Sequence, residues 1–188
     1  MWGEIWKLNC PNRIKHFLWR MAHNSLAVCC NLKRKGMDVD TRYFVCRRLD
    51  EDGGHLFLKC KYVKQVWCEM NLNETRERLA SYGPAKEVAE HILRLESEQQ
   101  LNVLCLLNNW WCERNRIREG ERKREGWEVA AITSRQADEI RNLQHKEHME
   151  HLGAEEAEVA APVPGTLKIN VDGGFDRRCS KGSWGYVI

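Results

Sequence analysis

Cys46, His55 and Cys60 stand on either side of a turn signal, Asp50-Glu51-Asp52-Gly53-Gly54. No other feature of the chain constrains folding as closely. Two thiols and an imidazole are ligands suited to zinc. A Gly-rich turn lets two short segments fold back onto one ion, and a metal can supply folding energy where the core is thin. A structural zinc takes four ligands in a tetrahedron, and the spacing supplies three. Tyr43 occupies the place that would complete a Cys-x-x-Cys pair with Cys46. A phenol titrating near 10 is a poor ligand at neutral pH. Cys29, Cys30, Cys68 or water are the alternatives for a fourth position. On spacing alone the favoured reading is two free cysteines and a surface histidine.

The chain carries nine cysteines, an odd number. Its start, Met1-Trp2-Gly3-Glu4-Ile5-Trp6-Lys7, has no signal-peptide pattern. Reduced thiols or metal ligands are therefore expected rather than a disulfide framework. No apolar run reaches the roughly 20 residues needed to span a bilayer. The expectation is an intracellular protein without a membrane partner, with nucleus and cytoplasm both open. Lys33-Arg34-Lys35 is too short a basic run to decide between them.

Net charge is only +3, but it is unevenly spread. From Lys7 to Arg48 there are ten Lys and Arg residues against Asp38 and Asp40. Such a stretch can attract phosphate or be a solvated basic surface.

Hydrophobic periodicity predicts helices over most of the chain. Ile14, Phe17, Leu18 and Met21 share one helix face after Pro11, a residue suited to a first turn. Ser25 is placed to cap a second helix, Leu26 to Lys35, ended by Gly36. Tyr43-Phe44-Val45-Cys46 has strand composition. Lys61 to Met70 is again helical, with Val63, Val66 and Trp67 on one side. From Lys86 to Arg118 one helical pattern presents Val88, Ile92 and Leu95, then Leu101, Leu104, Leu107 and Trp111. A charged helix, Trp127 to His151, offers only Trp127, Ala131, Ile140 and Leu143 as apolar positions. Trp6, Phe17, Trp19, Phe57 and Trp67 are expected to form a small core.

Residues 153–165 are a linker by composition. Beyond it Leu167, Ile169 and Val171 alternate with Lys168, Asn170 and Asp172, the period of a strand with one apolar face. A turn leads to a second strand, Ser183 to Ile188. The organisation expected is therefore 1–70 as a module around the Cys/His cluster, 71–152 as a helical connector, 153–165 as linker and 166–188 as a C-terminal hairpin.

The run Ile5-Trp6-Lys7-Leu8, Pro11, Lys15, Phe17-Leu18-Trp19-Arg20, Leu32-Lys33, Gly36, Cys46, His55-Leu56-Phe57-Leu58-Lys59-Cys60, Val66-Trp67 resembles the zinc-binding domain that follows the reverse transcriptase in plant non-LTR, LINE-type retrotransposons. The resemblance implies that Cys46, His55 and Cys60 are zinc ligands and that the family's first cysteine is replaced at Tyr43. Lys168 to Phe175, with Gly182, Trp184-Gly185 and Tyr186-Val187-Ile188, resembles the first strands of a ribonuclease-H-like domain. Trp110-Trp111 and Glu113-Arg114-Asn115 are similar to a segment that precedes that domain.

That second family cleaves the RNA strand of RNA–DNA hybrids with two Mg²⁺ ions held by clustered carboxylates. Asp172 resembles the first of these, and one carboxylate cannot assemble a two-metal site. On its own residues Asp172 is a turn-initiating aspartate before Gly173-Gly174.

Together these readings predict an α+β chain, predominantly α. It comprises a small helical zinc-knuckle-like module, a helical connector and a C-terminal β-hairpin from an incomplete ribonuclease-H-like fold. The function expected is that of a retrotransposon remnant with nucleic-acid-binding ancestry (RNA or RNA–DNA hybrid), a degenerate zinc site and no complete enzyme. A hybrid-specific ribonuclease and a helical protein-interaction module are the alternatives.

Overall fold

A computed structural model describes residues 2–153, 170–176 and 181–187, with side chains over 2–146. The chain divides into two compact units, Met1–Lys146 and Glu147–Ile188. Of the expected connector, 71–152, residues 71–146 fall in one unit with the cysteine-bearing segment.

Eight helices build the first part: α1 (Trp2–Lys7), α2 (Asn12–Ala22), α3 (Cys29–Arg34), α4 (Lys61–Glu69), α5 (Asn73–Ala80), α6 (Ala85–Ile92), α7 (Ser97–Arg118) and α8 (Gly126–Gly153). A π-helical turn, His55–Lys59, precedes α4. The predicted faces of α2 and α4 are those that bury: Ile14, Phe17, Leu18 and Met21 from one, Val63, Val66 and Trp67 from the other. α2 lies against α1, α6 and α7. Phe17 meets Phe57 edge to face at 5.7 Å, which ties α2 to the π turn.

Three expectations about local structure change. Ser25 does not cap a helix: its hydroxyl donates to the Arg20 carbonyl, and α3 starts only at Cys29. Its first amide, that of Cys29, instead donates to the Glu51 carboxylate at 2.8 Å. Gly36 does end the segment, at φ 86°, with the Gly36 and Met37 amides returning to the Lys33 and Leu32 carbonyls. The helical pattern expected from Lys86 to Arg118 is made by two helices, α6 and α7, interrupted between Leu93 and Glu96. α8 buries Val129, Ala130, Thr133, Ala137 and Ile140 and leaves Trp127 and Leu143 exposed. Its core-facing stripe is made of small residues, which hydropathy alone underrates.

The α+β expectation is corrected: the fold is mainly helical. Tyr43–Cys46 is a turn rather than a strand, and an isolated bridge, Arg42 with Asp50, stands nearby. The Arg47 amide donates to the Tyr43 carbonyl at 2.7 Å, which closes that turn, and Arg47 itself is left-handed at φ 53°.

In the second unit, Asn170–Asp176 (β1) and Lys181–Val187 (β2) pair antiparallel, Asn170 opposite Val187 and Asp176 opposite Lys181. The described sheet is this one two-stranded pair, so it does not make the fold α+β beside eight helices. The expected linker beyond Gly153 and the positions Leu167 and Ile169 lie outside the described residues. No helix among the described residues is long and apolar enough to cross a membrane.

Candidate metal centre

The ligand atoms of Cys46, His55 and Cys60 all lie within 4.8 Å of one another. Cys46 arrives on the turn after Tyr43, His55 opens the π turn, and Cys60 stands at the junction of the π turn and α4. The Cys60 amide donates to the His55 carbonyl at 2.8 Å. This wider turn brings residues five apart back to the same side, where an ordinary turn would close on the fourth.

The π turn is held from three directions. Trp110 Nε1 on α7 donates to the Leu56 carbonyl at 2.9 Å. Trp67 Nε1 on α4 donates to the Phe57 carbonyl at 2.9 Å. Arg76 Nη1 on α5 donates to the Leu58 carbonyl at 3.1 Å. Buried carbonyls need partners, and a short π segment leaves several without an internal donor. Three side chains from three helices supply them. The His55–Cys60 geometry is thus fixed by the helices that follow it in sequence.

His55 is oriented from its far side. Its Nδ1 lies 2.9 Å from the Asp50 carbonyl, which can only accept, so Nδ1 carries the proton. Nε2 then presents a lone pair 3.5 Å from Cys46 Sγ. Zinc–sulfur and zinc–nitrogen bonds of about 2.3 and 2.05 Å at a tetrahedral angle place S and N about 3.6 Å apart. The observed spacing agrees, so the donor set fits a zinc ion. The remote hydrogen bond to a carbonyl is also the usual support for a zinc-bound imidazole. Burial raises the Cys60 thiol pKa, and the neighbouring Cys46 adds to this while the Tyr62 and Val63 amides oppose it. A dication at this point would reverse the balance and hold both sulfurs as thiolates.

Tyr43 borders the group. Its ring stands nearly perpendicular to the His55 ring, with centroids 5.5 Å apart. It is wholly buried, and its hydroxyl has no hydrogen-bond partner. Burial, with Cys60 next in effect, pushes the phenol far above its ordinary range, so it stays protonated. Among the described residues the group has three members. Cys29 lies elsewhere, 3.9 Å from Arg114 Nη2, and Cys68 is exposed on α4. Asp172 belongs to β1 in the second unit, opposite Gly185.

One pair of site-supporting residues escaped the sequence reading. Arg114 on α7 donates through Nε and Nη2 to the two Glu51 carboxylate oxygens, both at 2.6 Å, with side chains 1% and 0% exposed. Glu51 also accepts the Cys29 amide, and its backbone bonds Thr41 and Cys30. Arg114 further lies over the rings of Phe44 and Trp111 at 5.4 and 5.1 Å. It therefore clamps the segment carrying Cys46 and Asp50 onto α3 and α7.

Residues 1–67 match the family model for zinc-binding in reverse transcriptase. The match contains all three members of the group. No curated protein and no solved structure matches this chain. The matched segment ends at Trp67, yet Arg76, Trp110 and Arg114, all beyond it, hold the candidate centre in shape.

Proposed function

We propose that this is a retrotransposon-derived zinc-binding module that associates with nucleic acid, and that its zinc site works with three protein ligands. The observation that carries the reading is the convergence of Cys46, His55 and Cys60, with Nε2 freed by the Asp50 carbonyl and 3.5 Å from Cys46 Sγ. A bound zinc would cross-link the 41–51 segment to the start of α4 and contribute folding energy there.

The chain's own residues do the rest. Asp50 fixes the imidazole, Arg114 and Glu51 hold the approach of the Cys46 segment, and Tyr43 excludes water from one side of the group. Tyr43 in place of a third thiolate, the missing fourth ligand, supports a degenerate site of lowered affinity. A plant, LINE-type origin is supported by the ordered run from Ile5 to Trp67 quoted above.

Nucleic acid as partner is supported by the reverse-transcriptase match and by the ten Lys and Arg residues from Lys7 to Arg48. Cobalt substitution tests the site. Cobalt-loaded protein is expected to show thiolate-to-metal charge-transfer absorption that weakens in Cys46→Ser and in Cys60→Ser. Absence of that band in the reduced wild-type protein would rule out a thiolate-bound ion.

A further inference from the structure

Trp6 was expected to join the core, yet it is 44% exposed, and its neighbour Trp2 is 40% exposed. The burial of α1 is carried by Ile5 instead. The two indoles lie one helical turn apart on α1, about 6 Å along its axis. Each meets a histidine of α2: Trp2 stacks on His23 with centroids 4.0 Å apart, and Trp6 meets His16 edge-on at 5.3 Å. His16, Arg20 and His23 follow one another at four and three residues, so they form one stripe of α2, and all three are exposed. Lys15 Nζ donates to the Trp6 carbonyl at 3.0 Å, which keeps a cation beside the backbone of that residue. Over residues 1–36 the chain has seven Lys and Arg against one acid, Glu4, which Lys7 already pairs at 2.9 Å. The result is a row of open rings bordered by cations, with no uncompensated carboxylate in the surrounding stretch.

The geometry points to a single-stranded RNA platform on α1 and α2, in which two successive bases stack on Trp2 and Trp6 while Arg20 and Lys15 meet the flanking phosphates. This rests on the proposed association of the module with nucleic acid and names its surface and its partner. Open aromatic faces interleaved with cations suit unpaired bases, whose π-faces a duplex keeps stacked within itself. The family model matched over residues 1–67 is of zinc-binding in reverse transcriptase, an activity that copies RNA, which favours RNA among single strands. The surface does not overlap the Cys46–His55–Cys60 group, so it can be altered without touching a ligand.

The test is fluorescence anisotropy of the full chain with a labelled, unstructured RNA of about 12 nucleotides, within the usual span of single-strand sites. Trp2→Ala and Trp6→Ala are each expected to weaken binding about tenfold, and Trp6→Phe to stay close to wild type. Arg20→Gln should lower the dependence of log affinity on log salt by about 0.7. Trp127→Ala, at an indole 62% exposed on α8, should change nothing. Unchanged thermal melting will separate loss of the platform from loss of the fold.

Absence of RNA binding by the wild-type protein at low salt would overturn the nucleic-acid reading itself. Binding that survives both tryptophan substitutions, or equals binding to duplex RNA, would overturn the platform and leave that reading standing. DNA of the same sequence bound no more tightly than RNA agrees with the proposal, and a tenfold preference for DNA overturns RNA as the occupant. Anionic vesicles bound more tightly than RNA, with the same tryptophan dependence, would likewise assign the face to a membrane.

Discussion

Replacing Arg114 by Met should unfold the first unit at a much lower temperature. Glu51 would then keep the Cys29 amide as a partner at 2.8 Å but lose two charged hydrogen bonds of 2.6 Å. Its side chain is wholly buried, so water cannot replace the guanidinium without opening the segment. Removing one member of a buried pair costs about 3–5 kcal/mol, mostly through the charge left behind. A domain is typically stable by about 5–15 kcal/mol, so this is a large part of the total. For a unit of this length 1 kcal/mol moves Tm by about 3 °C, which gives a fall of about 10–15 °C. Thermal melting followed by circular dichroism measures it. The double variant Arg114→Met, Glu51→Leu removes both charges and should recover at least half of the loss. A single variant melting within about 3 °C of wild type, or a double variant no more stable than the single, would refute the assignment of the pair as the clamp.

The remaining expectations concern the candidate centre and its surroundings. Tyr43→Cys supplies a third thiol, and so a fourth ligand, at the Cys-x-x-Cys position, so zinc affinity should rise at least about tenfold in competition with a chromophoric chelator. The same change empties a buried site, so the metal-free variant should melt below metal-free wild type, and zinc should reverse the order. Trp110→Phe keeps an aromatic, though smaller, ring and removes the donor to the Leu56 carbonyl, costing at least about 1–3 kcal/mol in chemical denaturation. Burial pushes the Cys29 thiol up to about 11, with Glu51 adding to it, and burial pushes Cys105 up to about 12. These thiols stay protonated in the fold while the unfolded chain ionises from about pH 9. Their contribution is therefore complete below pH 9 and is lost as pH rises to about 11 and 12. Cys105→Ala should flatten that alkaline decline, as read from denaturation midpoints between pH 8 and 11.

Much of the helical part was legible because periodicity survives in short windows. Ile14, Phe17, Leu18 and Met21 are the buried face of α2, and Cys46, His55 and Cys60, which spacing alone left as free side chains and the family resemblance grouped, converge. What was not legible is long-range. The Glu51–Arg114 pair spans 63 residues and the Trp110–Leu56 bond 54, and neither has a local signature. Trp110 and Arg114 resembled part of a segment leading to a C-terminal domain, yet both serve the N-terminal centre. Tyr43–Cys46 has the composition of a strand, but closing the turn that presents Cys46 overrides that propensity. Trp6 looked like core because indoles usually bury, whereas Ile5 takes that place on α1. The small residues of α8 hid its packed face for the opposite reason, since alanine and threonine contribute little to a hydropathy stripe.

The most direct test of the three-ligand centre is the zinc content of the purified, reduced protein by elemental analysis, alongside Cys60→Ser and His55→Ala. The account predicts about one zinc per chain, lost in both variants. A wild-type protein without zinc, or one whose zinc survives both substitutions, would contradict it.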